Sequence, residues 1–182
     1  MSNIEKIQNI PSRLITALFV DFKKAGKAYN AALKLGYKKD EISILMSEET
    51  KAYQGHNRAH ENASLSDEAI KGAGVGGSLG VTTGAITGAI MAMGTALAIS
   101  GLGLIISGPI AVALAGATAG GIAGGLVGAL INIGISENHA ESCAAEIKRG
   151  GVLICLSPHS LDDCKTLECT WNNYGGTILT SM

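Results

Sequence analysis

The sequence predicts an α+β fold: a ferredoxin-like split βαβ sandwich interrupted by a long, Gly-rich α-helical hairpin of transmembrane type. Three observations carry this. A strand-helix-strand pattern occurs once near each end of the chain. Every Lys, Arg, Asp and Glu lies at or before Lys71 or at or after Glu137. The charge-free block between them opens with glycine at every fourth position. The chain of 182 residues thus divides into residues 1–50, a first βαβ half; 51–71, a polar linker and helix start; 72–135, the Gly/Ala-rich hairpin; and 136–182, a helix plus the second βαβ half.

In the first half, residues 14–20 (LITALFV) are β-branched and apolar enough for a buried strand. Asp21 follows as an N-cap. Phe22, Ala25, Tyr29, Ala32 and Leu33 recur at helical spacing, and Gly36 can take the left-handed conformation that ends a helix. Residues 42–46 (ISILM) give the second strand. After the block, Glu137 to Arg149 predicts a helix with Ala140, Cys143, Ala144 and Ile147 inward. Residues 152–156 (VLICL) give a third strand, and Ser160 with Asp163 forms a capping-box-like helix start. Cys164, Leu167, Trp171 and Tyr174 mark one helical face, Gly175 and Gly176 end it, and residues 177–180 (TILT) give a fourth strand. Neither βαβ unit buries its apolar face alone, so the two are expected to share one sheet with both helices on one side.

Within the block, Gly72, Gly76, Gly80, Gly84 and Gly88 stand four apart, and small residues continue the row at Ala92, Ala96 and Ser100. Gly116, Gly120, Gly124 and Gly128 repeat the device. Glycine inside a helix costs about 1 kcal/mol relative to alanine, so the spacing needs a compensating gain. Close approach of helix backbones in lipid supplies one. A step of four turns roughly 40° around a helix, so five glycines sweep roughly 160°, more than one partner covers. The spacing therefore predicts packing against other copies, a homo-oligomer. Residues 99–111 (ISGLGLIISGPIA), with Gly101, Gly103, Gly108 and Pro109, predict the hairpin turn. Because strands before and after the block share a sheet, the number of membrane crossings should be even, and the length allows two. The alternative is a hairpin buried inside a soluble oligomer.

Literal matches to two catalytic or cofactor motifs lack their context. Gly72 to Gly77 fits G-x-G-x-x-G but has no strand before it and no acidic residue about 20 positions on. Gly76 to Gly80 fits G-x-S-x-G, but Ser78 follows a helix-prone stretch. His56 and His60 are four apart with Glu61 nearby, yet Gly55 and Asn57 argue for a solvated linker over a metal site. His139 and His159 read as exposed helix-start and loop residues. Cys143, Cys155, Cys164 and Cys169 form no C-x-x-C pair and read as small core hydrophobes. No catalytic, cofactor-binding or metal-binding residue is predicted, and the expected activity is non-enzymatic. A formal net charge of −1 with interspersed signs gives no nucleic-acid footprint. Glu5, Lys6 and Gln8 interrupt any apolar leader, which predicts cytoplasmic flanks.

The order strand-helix-strand, polar linker, SDEAIKGAGVGG, a Gly/Ala hairpin broken near ISGP, then GGLVGALINIGISENHAESCAAEIKRGGVLICLSP resembles a bacterial family of general-stress and low-temperature-induced proteins, many of them membrane proteins of unknown function. The resemblance spans nearly the whole chain and is most specific from Gly124 to Pro158. It implies a stress-related bacterial setting and membrane association, and it brings no catalytic residues. The chain has more Lys and Asn than that pattern, and its cysteine cluster is unusual for it. The expected protein is a homo-oligomer in the bacterial cytoplasmic membrane, with lipid as a partner, the α/β domain in the cytoplasm and no small-molecule substrate. The alternatives are a soluble oligomeric particle that buries the hairpins or binds lipid, and, third, a pore-forming or membrane-perturbing protein.

Overall fold

The computed structural model describes residues 14–53, 97–99, 103–111 and 125–179. Their centre is a six-stranded sheet in which all five pairings are antiparallel. The strands are β1 (Ile15–Phe19), β2 (Ile42–Ser47), β3 (Leu97–Ile99), β4 (Leu104–Ser107), β5 (Val152–Leu156) and β6 (Thr177–Ile178). The helices are α1 (Phe22–Lys34), α2 (Gly125–Asn132), α3 (Glu137–Lys148) and α4 (Leu161–Asn173). Strand order is β3-β4-β2-β5-β1-β6. Its last four strands interleave the two βαβ units: β5 lies between β1 and β2, and β1 lies between β5 and β6. The sheet is thus assembled across the charge-free block, in the ferredoxin-like order expected for β1, β2, β5 and β6.

Local chemistry sets the helix ends. The Asp21 carboxylate accepts from the Lys23 and Lys24 N–H groups, which otherwise lack partners in a first turn. At the other end of α1, Gly36 has φ +97°, and the Tyr37 N–H reaches back to the Ala32 carbonyl. In α4 the Ser160 hydroxyl accepts from the Asp163 N–H. The Asp163 carboxylate does not return the bond and accepts instead from the Tyr37 hydroxyl. The capping box is therefore half formed.

Both faces of the sheet are buried along β1, β2 and β5, which is why these strands are mostly apolar with only Thr16, Ser43 and Ser47 as buried polar residues. On one face α1 and α4 enclose Phe19, Phe22, Tyr29, Tyr37 and Trp171 with Ile15, Ile44 and Ile154. Trp171 stands edge-on to Phe19, and its indole N–H donates to the Ala28 carbonyl. On the other face α2 and α3 cover Leu18, Leu45, Leu153 and Cys155, joined by Leu104, Ile106, Ile110, Ala111, Leu126 and Leu130 from the charge-free block. Ala140, Cys143, Ala144 and Ile147 point inward from α3 as their spacing predicts.

At the expected hairpin turn the described residues of the block depart from expectation, while the two helices it should join lie mostly outside the described residues. Leu97–Ile99 and Leu104–Ser107 form a β-hairpin, and β4 pairs with β2 from Ser47↔Leu104 to Ile44↔Ser107. The physical reason is the edge of β2. Without β4 its row of N–H and C=O groups and the apolar side chains of ISILMS would lie unpaired. Leu104, Ile105 and Ile106 are the β-rich segment able to cover it. Gly101 lies outside the described residues. Gly103 sits in the turn before β4, while Gly108 and Pro109 lead from β4 into a helical start at Ile110 and so do not cap a helical hairpin. At Gly108, with φ +87°, a Cβ would stand 2.6 Å from the Ile42 carbonyl oxygen. The Ile110 N–H just beyond donates to the buried Ser43 hydroxyl.

Candidate functional site

Of the zipper glycines, Gly72, Gly76, Gly80, Gly84, Gly88, Gly116, Gly120 and Gly124 lie outside the described residues, as do Ser78, His56 and His60. Gly128 is placed on α2, and a Cβ added there would meet nothing within 4 Å. Among the described residues, therefore, no neighbour uses the space this glycine leaves. Among the described residues no helix is long and apolar enough to cross a membrane.

A polar cluster that the sequence did not reveal joins the loop after α1 to the loop before α4. Tyr37 stacks on the His159 ring with centroids 4.4 Å apart. Its hydroxyl accepts from the His159 backbone N–H at 3.0 Å and donates to the Asp163 carboxylate at 3.1 Å. Glu41 meets the far ring nitrogen, Nε2, at 3.2 Å and also accepts from the Lys38 N–H at 2.7 Å. Burial pushes the Tyr37 phenol up, opposed by the His159 N–H and reinforced by Asp163. The Lys38 N–H, more than the imidazole, holds the Glu41 carboxyl below its usual value. The nearest hydroxyl in sequence, Ser160, is engaged in the α4 cap. The cluster is thus built as a clip between two loops. The sequence signal was slight: Tyr37 and His159 are far apart in the chain, and only the sheet brings them together.

At the opposite end of the sheet lies an open cleft of about 420 Å³ between the start of α1, residues 48–53 and the end of α3. Val20 and Tyr53 line it, both 67% exposed, together with Phe22, Thr50 and Lys148. Ser47 and Thr50 close its floor with a hydroxyl pair at 2.8 Å. Among the described lining residues Arg149 pairs with Glu146, and Lys148 and Glu49 add one charge of each sign.

No disulfide joins the cysteines. Cys143 and Cys155 lie buried in the α2/α3 core as their positions predict, and burial pushes both thiols up to about 12. At neutral pH they are protonated and behave as small hydrophobes. Cys164 is also buried, beside Glu168, whereas Cys169 is exposed. Among the described residues no three His, Cys, Asp or Glu side chains converge to hold a metal ion. No protein-family model matches the chain, and neither a curated protein nor a solved structure is significantly similar to it.

Proposed function

We propose that this is a non-enzymatic, self-associating protein that binds the cytoplasmic membrane through its charge-free block, with the α/β domain on the cytoplasmic side. One observation carries the reading: a stretch without a single charge from Gly72 to Ile135 lies in the chain between β2 and β5, two neighbouring strands of one sheet. The family resemblance adds a bacterial stress setting.

The sheet changes how such a block meets a bilayer. Because β3 and β4 are stitched to β2, the apolar chain is divided into residues 72–96 and 112–124, each bounded by chain that returns to the domain. Ala111 and Leu126 even share one core. Two full crossings by either piece need about 40 apolar residues, and neither piece supplies them. Shallow insertion from one side, with glycine faces packed against other copies, fits the connectivity better than a spanning hairpin. A second reading, a soluble oligomer that buries both pieces among its copies, draws on the open surface at Gly128.

Two measurements separate these. Alkaline carbonate extraction should leave the protein with the membrane; release would favour the soluble oligomer. Sidedness is tested with a membrane-impermeant maleimide, using Ala98→Cys on the exposed edge of β3 and the natural Cys169 on α4. Both should react from the cytoplasmic side. Labelling of position 98 from the far side alone would restore the two-span hairpin. For self-association, Gly128→Leu should weaken crosslinking between copies while leaving the fold intact, and unchanged crosslinking would remove Gly128 from the contact.

A further inference from the structure

The interspersed signs expected from the near-neutral total do not hold over one segment. Between Asp21 and Asp40 stand Lys23, Lys24, Lys27, Lys34, Lys38 and Lys39 and no acidic residue. That is six of the 14 basic residues, leaving eight against 15 acids elsewhere. A near-neutral total therefore conceals one strongly positive segment.

The fold converts the segment into a surface. Phe22, Ala25, Ala28, Tyr29 and Ala32 fix the inward side of α1. At roughly 100° per residue, Lys23, Lys27 and Lys34 then fall within about 40° of one another, in a single row along the outward side. All three are exposed, as are Lys38 and Lys39 in the loop past the helix end. Among the described residues none of them forms an ion pair; the two pairs present are Arg149 with Glu146 and His159 with Glu41. Lys24 leans to one side, its ammonium near Gly175 beyond the C-terminus of α4, where the helix carbonyls attract it. Lys23 and Lys27, four apart on the helix, repel one another slightly. Exposed apolar residues stand at both ends: Val20, 67% exposed, before the helix and Leu35, 41% exposed, after it.

We propose that this row is the docking surface of the domain for an anionic lipid surface, with Val20 and Leu35 dipping between headgroups. The proposal rests on the membrane reading above and names the face that meets the bilayer. Tyr53, within the polar linker, lines the same cleft as Val20 and Phe22, so the linker begins beside the start of α1. A flat, negatively charged plane suits one straight row of long, flexible cations whose stems lie along apolar surface. Nucleic acid fits less well, because the remainder of the chain is acidic and the row contains no interleaved aromatics.

The test is co-sedimentation of the full-length protein with vesicles of phosphatidylcholine alone and of equal parts phosphatidylcholine and phosphatidylglycerol, at low and high salt. The wild type should prefer the anionic vesicles and lose that preference at high salt, a comparison that needs no variant. Lys23→Gln/Lys27→Gln/Lys34→Gln should bind anionic vesicles roughly ten- to a hundredfold more weakly with an unchanged thermal melt, whereas Lys165→Gln on α4 should bind as the wild type does. Equal wild-type binding to both vesicles, or a triple variant that keeps the anionic preference, overturns the docking face and leaves membrane association standing. Binding to neither vesicle overturns both. Equally salt-sensitive binding of duplex DNA that the triple variant loses would overturn the lipid assignment and give the row to nucleic acid.

Discussion

The core between the sheet and α1/α4 holds Phe19, Phe22, Tyr29, Tyr37 and Trp171; the core between the sheet and α2/α3 holds no aromatic side chain among the described residues, only aliphatic ones with Cys143 and Cys155. The first is built almost wholly by the charged parts of the chain, with Ile105 as the contribution of the charge-free block. The second draws Leu104, Ile106, Ile110, Leu126 and Leu130 from that block. The difference teaches that the apolar stretch is not a separate membrane module hung on a finished domain. Part of it is the cover of the domain's second face. Aromatic rings lock neighbours through specific edge and face contacts, whereas Leu, Ile and Ala fill space with less directional demand.

The sharpest way to break that comparison is to hollow out each core in turn. Trp171→Ala should cost about 3–5 kcal/mol, since it empties a fully buried site and leaves the Ala28 carbonyl without its indole donor. Leu130→Ala, also fully buried, should cost about 2–5 kcal/mol in the same urea titration. A loss below about 1 kcal/mol at Leu130 would mean that the α2/α3 cover is not integral to the folded unit.

The join between block and sheet gives a smaller effect. Gly108→Ala should destabilise by about 1–3 kcal/mol, because the left-handed backbone and the Ile42 carbonyl both exclude a Cβ. Gly103→Ala meets nothing within 4 Å and should lose only the roughly 1 kcal/mol of backbone strain. Equal losses at the two positions would deny β4 its close seat on β2.

Alkaline titration separates the cores by their buried acids. Burial pushes the Tyr29 phenol in one core, and the Cys143 and Cys155 thiols in the other, up to about 12, from ordinary values of 10.0 and 9.0. Each folded-state value is raised, so the stability from these groups is full below the unfolded value and is lost as pH climbs toward 12. Denaturation midpoints measured across that window should fall from about pH 9 in the wild type. Tyr29→Phe should remove part of the fall. At neutral pH the same change should be neutral or stabilising by under about 1 kcal/mol, because the Tyr29 hydroxyl is buried without a partner among the described residues. A clear neutral-pH loss would point to a partner for that hydroxyl.

The smallest effect lies at the clip. The Glu41 carboxyl is held low by the Lys38 N–H and the His159 ring, so its contribution is present above the ordinary carboxylate value and fades as pH falls through the lowered one. The group is on the surface, where solvent screening keeps such contributions small. Glu41→Gln should therefore flatten the acid limb of the stability profile only slightly, and a large change would mean that the clip holds more than two loops.

Much of this was determined by the sequence alone. The strands β1, β2 and β5, the caps at Asp21 and Ser160, the inward faces of α1, α3 and α4 and the sharing of one sheet across the insertion all follow from period, cap chemistry and mostly apolar runs, which are local properties of neighbouring residues. The lysine row follows from the same apolar period of α1, but the near-neutral total reads as interspersed charge. Only the tertiary structure decided the rest. In a charge-free block dominated by Gly, Ala, Leu and Ile, polar positions are too sparse for a period to distinguish helix from strand. Leu104, Ile105 and Ile106 between glycines are compatible with a turn until β2 offers an edge that needs a partner. The clip of Tyr37, Glu41, His159 and Asp163, and the aliphatic second core, arise from residues far apart in the chain. Their energies exist only once the sheet has set the distances.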